Sequence, residues 1–340
     1  MQNGKEHFTR AIDFKRPEYC PSLIGVNFNF LYEKDKRKQE MIISLLDRIG
    51  NNEIVSMRCW KDKRWTENGV NYWENEWGTR RVDTGVGFHP QYFPMGEGYE
   101  YIDRVNFPDA SDETRFMEAD RILQNRNGRY MIGKVGHTLF ERLWMLRGFD
   151  NMLMDPYVDE ENFLILKQRV MDVNLAMIDK WLDRDVDGIS FSDDWGHQRD
   201  LLINPQDWRK YYKNDYINMF SRIHRAGKHV WMHLCGNIIA ILPDLIEIGL
   251  NVLNPVQPQA MDVNYLAKEF GGKVCFNGGI DVQGTMIKGS PKDVKNEVMH
   301  LIEIFGCYNG GYIINTSHTI MPETPLDNVI ALLEAILEYR

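Results

Sequence analysis

The sequence predicts a parallel (β/α)8 barrel of the TIM type. Three observations carry that expectation. Eight short apolar runs rich in β-branched residues recur along the chain, at 20–28, 53–60, 129–136, 186–194, 229–237, 249–257, 273–281 and 311–319. In the second half they alternate with helix-start signals and amphipathic stretches, and strand–helix alternation builds a parallel sheet. No G-x-G-x-x-G follows the first run and no Walker loop occurs, so an open, doubly wound nucleotide-binding sheet lacks support.

Taken in order, the N-terminus MQNGKEHFTRAIDF has no apolar core of a signal peptide. CPSLIGVNF and EIVSMRCW read as the first two strands. Residues 61–125 break the alternation. They contain GVNYWENEWGTRRVDTGVGFHPQYF, with period-two stretches and glycines, and then a helical pattern near 112–124. This predicts a β-hairpin and helical excursion after strand two, lying as a lid over the barrel mouth. RYMIGKVG is the third strand, and FERLWMLRGFD follows it as a helix.

The later helices announce their starts. Asn204-Pro205-Gln206-Asp207, Ser290-Pro291-Lys292-Asp293 and Thr324-Pro325-Leu326-Asp327 each place a cap residue before Pro and an acid two residues later. The cap accepts an orphan N–H, Pro has none to orphan, and the acid faces the positive helix end. The 340 residues therefore read as one barrel, 1–340, with 61–125 inserted into it.

Composition narrows the function. Forty Lys and Arg against 49 Asp and Glu give a net charge of −9. That disfavours a nucleic-acid partner and an anionic membrane surface. No apolar run reaches the ~18–20 residues that span a bilayer, and the expected location is the cytoplasm. Five dispersed cysteines (Cys20, Cys59, Cys235, Cys275, Cys307) are not a disulfide framework.

In a barrel the site lies at the carboxyl ends of the strands. Polar residues concentrate there. His233-Leu234-Cys235 is the sharpest feature, since residues i and i+2 of a strand share a face. Imidazole and thiolate suit one borderline-soft cation, foremost zinc. A catalytic zinc needs a third protein ligand. His318 is the first choice, Cys275 the second, and Asp194 and Cys59 stay open. Asp193 and Asp194 are adjacent, so one of them faces the pocket as general base or orienting group. Trp195, His197 and Gln198 follow on a loop as mouth residues. Gln257 ends strand six. Asn277 and Asp281 flank Gly278-Gly279, where a ligand can approach the backbone closely. Arg142 is a candidate for gripping a substrate carboxylate.

The segments VDGISFSDDWGHQ, LLINPQDWRKYYK, HLCGN, NPVQPQAMD, FNGGIDVQGT and GGYIINTSHTIMPETPLDNV occur in this order. They resemble the superfamily of uroporphyrinogen decarboxylase and the zinc-dependent cobalamin methyltransferases. The resemblance is dense from about 128 to 340 and implies the barrel fold. The decarboxylase branch carries an arginine-rich R-Q-A-G-R-Y motif, where this chain reads CPSLIGVNFNF. The methyltransferase branch carries H-x-C, matched by His233 and Cys235. It has a cysteine near strand eight, where this chain has His318, as the decarboxylases do. The resemblance thus implies a His-Cys-His zinc site and a methyl group moved between a small thiol or methoxylated compound and a corrinoid. No D-x-H-x-x-G motif is present, so the corrinoid is expected on a separate protein docking over the mouth. Relatives suggest a homodimer. Two other readings stand beside it. One is a metal-free decarboxylase of a carboxylated substrate, using His318 and a strand-four aspartate. The other is a non-catalytic barrel holding a corrinoid or tetrapyrrole.

Overall fold

Short β-branched runs flanked by helix caps fold here as parallel strands, most of them buried on both faces, while the edge strand Ile54–Arg58 exposes Ser56 and Arg58. The computed structural model describes residues 3–26, 35–50, 53–84 and 88–340. In chain order the strands are β1 (Ile54–Arg58), β2 (Lys63–Glu67), β3 (Val70–Glu74), β4 (Arg80–Asp83), β5 (Phe88–Tyr92), β6 (Tyr130–His137), β7 (Gly188–Ser192), β8 (His229–His233), β9 (Val252–Val256), β10 (Cys275–Ile280) and β11 (Tyr312–Thr316). β1 and β6 to β11 form a seven-stranded parallel sheet in the order β1-β6-β7-β8-β9-β10-β11. Seven of the eight predicted runs are therefore strands. The run at 20–28 departs from the expectation. Its residues 27 and 28 lie outside the described part, and Ser22 makes a single parallel bridge to Ile314 on the free edge of β11.

The sheet curls. Ile54 of β1, Tyr130 and Ile132 of β6, Trp231 of β8, Val252 of β9, Cys275 of β10 and Ile313 of β11 meet in one buried cluster. Strands several places apart can share a cluster only if the sheet wraps around it. The helix Gly4–Ile12 adds Phe8 and Ile12 and plugs the amino end. At roughly 1.5–3 kcal/mol per buried large apolar side chain, this inner layer is a main anchor of the wrap.

Helices cover the outer face. Two of the three caps read from sequence form, and the third does not: the last helix, Leu326–Tyr339, has Pro325 and not Thr324 in the cap position, with no side-chain cap. Asn204 accepts from the Gln206 N–H with Pro205 behind it. Ser290 and Asp293 make a reciprocal capping box. The long helix Glu160–Leu182 drives Trp181 against β6 at Gly133, where a Cβ would sit 2.5 Å from the indole. Only glycine lets that ring pack so close.

The excursion exceeds the predicted hairpin. β2, β3, β4 and β5 form a four-stranded antiparallel sheet. A 3-10 turn at Glu113–Arg115 and the helix Met117–Gln124 follow, close to the expected 112–124. Arg115 and Glu76, 6% and 8% exposed, form an ion pair that ties this segment to the small sheet. Among the described residues no helix is long and apolar enough to cross a membrane.

Candidate functional site

Period two decides what faces the interior. Two residues beyond the apolar layer, the same strands present Lys134 on β6, His233 on β8, Asn254 on β9, Asn277 on β10 and Asn315 on β11. An apolar floor thus gives way, within one step along each strand, to a polar layer at the carboxyl rim.

His233, Cys235 and His318 meet there. One ligand atom from each lies within 4.8 Å of the others, and Cys235 Sγ is 3.2 Å from His233 Nε2. Tetrahedral zinc, with roughly 2.0 Å bonds to nitrogen and 2.3 Å to sulfur, separates neighbouring ligand atoms by about 3.5 Å. The donor chemistry and spacing fit such an ion. Burial and the nearby His233 push the His318 pKa down, which keeps its lone pair free. Burial and the Asp194 carboxylate push the Cys235 thiol up, so a cation is what would favour its thiolate.

The polar layer also orients His233. The Thr316 N–H donates to Asn315 Oδ1 at 2.8 Å, so the Asn315 amide nitrogen must point the other way, and it donates to Asn277 Oδ1 at 3.1 Å. Asn254 Nδ2 donates to the same oxygen at 2.5 Å. Asn254 Oδ1 is left to accept from His233 Nδ1 at 2.7 Å. A backbone donor at one end therefore sets the direction of the network and makes His233 Nδ1 the donor to Asn254, so that in the neutral ring the Nε2 lone pair faces Cys235.

Asp193 and Asp194 separate as adjacent residues must. Asp193 is fully buried and turns away from the rim. It accepts the N–H groups of Leu139, Phe140 and Glu141 at 3.2, 3.1 and 2.7 Å and the Tyr216 hydroxyl. It anchors the start of the helix Phe140–Arg147, and burial with the Glu141 charge raises its pKa to about 7. The expectation that it serves the reaction is corrected: it has no path to the rim. Asp194 faces the donors. Its Oδ1 accepts the Cys235 N–H at 2.8 Å and lies 4.0 Å from His233 Nε2. Burial, then Glu141, raises its pKa.

Several sequence candidates take other roles. Trp195 is fully buried, stacked on Phe140 at 4.4 Å and donating to Tyr216 at 2.9 Å. It packs the core and does not line the mouth. His197 and Gln198 are exposed on the loop, where Gln198 donates to the Gln259 carbonyl. Gln257 accepts the Gly236 N–H at 3.1 Å and holds the turn after Cys235. In that turn Gly236 has φ +80°, and a Cβ would sit 2.4 Å from Gly196, so the donor loop needs glycine. Asn277 is fully buried within the amide network, out of a ligand's reach. Asp281 is buried too, accepting from Gln259 at 2.5 Å and the Gln283 N–H at 2.9 Å. Cys275 drops out as a third ligand because it starts its strand and lies in the apolar floor. Cys59 is buried against Lys134 and Met177, and burial pushes its thiol up to about 12.

A cavity of about 410 Å³ opens beside His233 and Asn254. β1, β6, β7 and the excursion line it, with Arg142 reaching in from the helix after β6. A second, of about 210 Å³, lies on the β9–β11 side and is lined by His233, Asn254, Asn315 and His318. Glu141 was not foreseen. Burial opposes its charge, but His137 at 3.0 Å and the Ser192 hydroxyl at 2.8 Å hold its pKa down to about 2. Its place next to Arg142, in the first turn after a strand, was the signal available in the sequence.

A curled parallel α/β sheet with a His-Cys-His donor set at its carboxyl rim defines an enzyme-type barrel fold built around a candidate metal site. The chain belongs to the uroporphyrinogen decarboxylase family, whose model, "Uroporphyrinogen decarboxylase (URO-D)", matches residues 98–339. It is 25% identical to the uroporphyrinogen decarboxylase of Christiangramia forsetii over 254 residues, 70% of this chain and 69% of that one. With the Aliivibrio salmonicida enzyme of the same name it shares 21% over 268 residues, 73% of each chain. The match to the Coxiella burnetii enzyme spans about half of each, 54% and 49%, at 21% identity. Among solved structures a methyltransferase from Methanosarcina mazei has the same fold, with TM-score 0.69 and 14% identity over 100% of this chain and 99% of that one.

Proposed function

We propose that this protein is a zinc-dependent methyltransferase. It would move a methyl group between a small thiol or methoxylated substrate and a corrinoid carried by a separate protein. The carrying observation is the His233, Cys235 and His318 donor set within 4.8 Å. When bound, zinc supplies Lewis acidity to a substrate sulfur or oxygen at its open position. The chain's own residues supply the rest. The amide network presents His233 Nε2, Asp194 holds the Cys235 backbone and stands ready to take a proton from a bound thiol, and Gln257 fixes the turn. Residues 61–125 would act as a lid over the cavity, and the chain around Ser22 would complete the barrel. The stretch CPSLIGVNFNF, without arginine, favours this reading over porphyrinogen decarboxylation.

The test is direct. Purified protein is expected to hold about one zinc per chain, by the three-ligand pattern of catalytic sites. It is also expected to change the methylcobalamin spectrum when a thiol acceptor is added. Retention of both zinc and activity in His233→Ala and Cys235→Ala sinks the proposal.

A second reading follows from the name that the curated relatives carry. A metal-free decarboxylase would release CO2 from a carboxylated substrate and ignore chelators, with His318 and Asp194 handling the proton.

A further inference from the structure

Polar atoms buried without a partner point to a missing ligand. Two of them line the 410 Å³ cavity. Arg142 Nε and Asn174 Nδ2 have no hydrogen-bond partner, and their residues are 7% and 2% exposed. The Arg142 guanidinium carbon lies over the Trp77 ring, 4.5 Å from its centroid, a contact that helps hold the side chain in place. Burial pulls its pKa down to about 10, a cost that an anion would relieve.

Three further cations line the same space: Arg58, Arg64 and Lys134. Lys134 of β6 and Arg58 of β1 are register partners on adjacent parallel strands. Burial, then the Arg58 charge, lowers the Lys134 pKa. Among the described residues no carboxylate lies within ion-pair distance of Arg58, Lys134 or Arg142. Of the acids that line the cavity, Glu76 is committed to Arg115, and Asp62 faces Trp73. Arg142 is buried, Lys134 half-buried and Arg58 exposed, and Glu76, Asp62 and Glu141 act on Arg142 without hydrogen-bonding it, so its buried Nε is left for an anion that enters the cavity. The walls add shape: Trp60, Trp73 and Trp77 line the cavity, and such faces suit a flat ring.

We propose that this cavity is an oxyanion subsite for an aromatic carboxylate. Arg142, Lys134 and Arg58 would take the carboxylate, the tryptophans would flank the ring, and the far end of the ring would point toward His233. The reaction at that end rests on the methyltransferase reading. The subsite does not, because its residues are separate from the metal donors.

The experiment therefore uses chelator-treated, zinc-free protein and measures binding alone, by calorimetry. The probes are 4-methoxybenzoate, its neutral isostere 4-methoxybenzamide, and the aliphatic acid 3-mercaptopropionate. The benzoate is expected to bind more than about 10-fold tighter than the amide, as for a site whose buried charges need a partner. Arg142→Met and the half-buried Lys134→Met should each reduce that preference to less than about 3-fold while the zinc content of untreated protein stays unchanged. Lys134→Met keeps the test open if Arg142→Met does not fold. Equal binding of benzoate and benzamide, or binding of neither, overturns the proposal. Tighter binding of 3-mercaptopropionate overturns its aromatic part. Loss of zinc from the wild type with the benzoate preference intact would instead strike only the methyltransferase reading.

Discussion

Two regions that meet at His233 and Asn254 are built in opposite ways. The wall of β8 to β11 takes its chemistry from positions that repeat along the strands. His233, Asn254, Asn277 and Asn315 each stand two residues beyond an apolar floor residue, and Cys235 stands two beyond His233. The wall of β1, β6 and the excursion is gathered from remote parts of the chain. Arg58, Trp77, Lys134, Arg142 and Asn174 meet there across more than a hundred residues of sequence. The first wall has its polar groups satisfied by one another. The second leaves Arg142 and Asn174 with unpaired atoms. A satisfied network positions reactive groups, and an unsatisfied one waits for a ligand.

That contrast can be broken or sharpened by substitution. The largest effect is expected at the base of the assembled wall. Arg115→Met leaves Glu76 buried and unpaired, which should destabilise the fold by about 3–5 kcal/mol in a denaturant titration. In the strand-built wall, His233→Ala should weaken zinc binding by more than the ~10–100-fold that loss of an outer-shell partner costs. A competition titration with a chromophoric chelator reads this. Asn254→Leu removes only the partner of His233 Nδ1, and a loss within that ~10–100-fold range is expected with the fold retained. An unchanged affinity would show that the amide network does not orient the ligand.

Asp193 supplies the pH test. Its carboxyl keeps its proton up to about 7 in the folded chain, against a usual value of 3.8. The folded state therefore binds more protons between those values. Its contribution to stability is fully present below about pH 4 and is lost as pH rises toward 7. Asp193→Asn should flatten that segment of the stability–pH curve. It should also cost about 1–3 kcal/mol, because an amide NH2 then faces backbone donors. The smallest effect is expected at Cys275: Cys275→Ala should leave the zinc content unchanged, since that thiol lies in the apolar floor. Zinc lost from that variant would overturn the proposed assignment of a metal site to His233, Cys235 and His318.

Much of this was legible without coordinates. Strand–helix alternation gave seven of the strands, and the capping signals at Asn204 and Ser290 marked real helix starts. The pair His233 and Cys235 was visible because a two-residue spacing maps directly onto one face. Asp193 and Asp194 were correctly divided between two faces, but not assigned. Which one turned inward depended on the helix Phe140–Arg147, whose free N–H groups captured Asp193. Trp195, Asn277 and Asp281 were misplaced for a similar reason. Their positions beside a strand end do not reveal that packing or an amide neighbour has already taken them. The four-stranded excursion was read as a hairpin because its strands alternate only weakly between buried and exposed.

The sequence by itself determined the parallel sheet, the helix starts at Asn204 and Ser290 and the pair His233 and Cys235 at the end of β8. These follow from local rules, in which a backbone period and a cap side chain act over two to four residues. Tertiary structure alone brought His318 to His233 and Cys235 and decided the direction of the amide network and the basic cavity. Each needs side chains from strands far apart in the chain. Their distances are set by how the sheet curls around Phe8, Trp231 and Ile313, a global property of packing that no local pattern encodes.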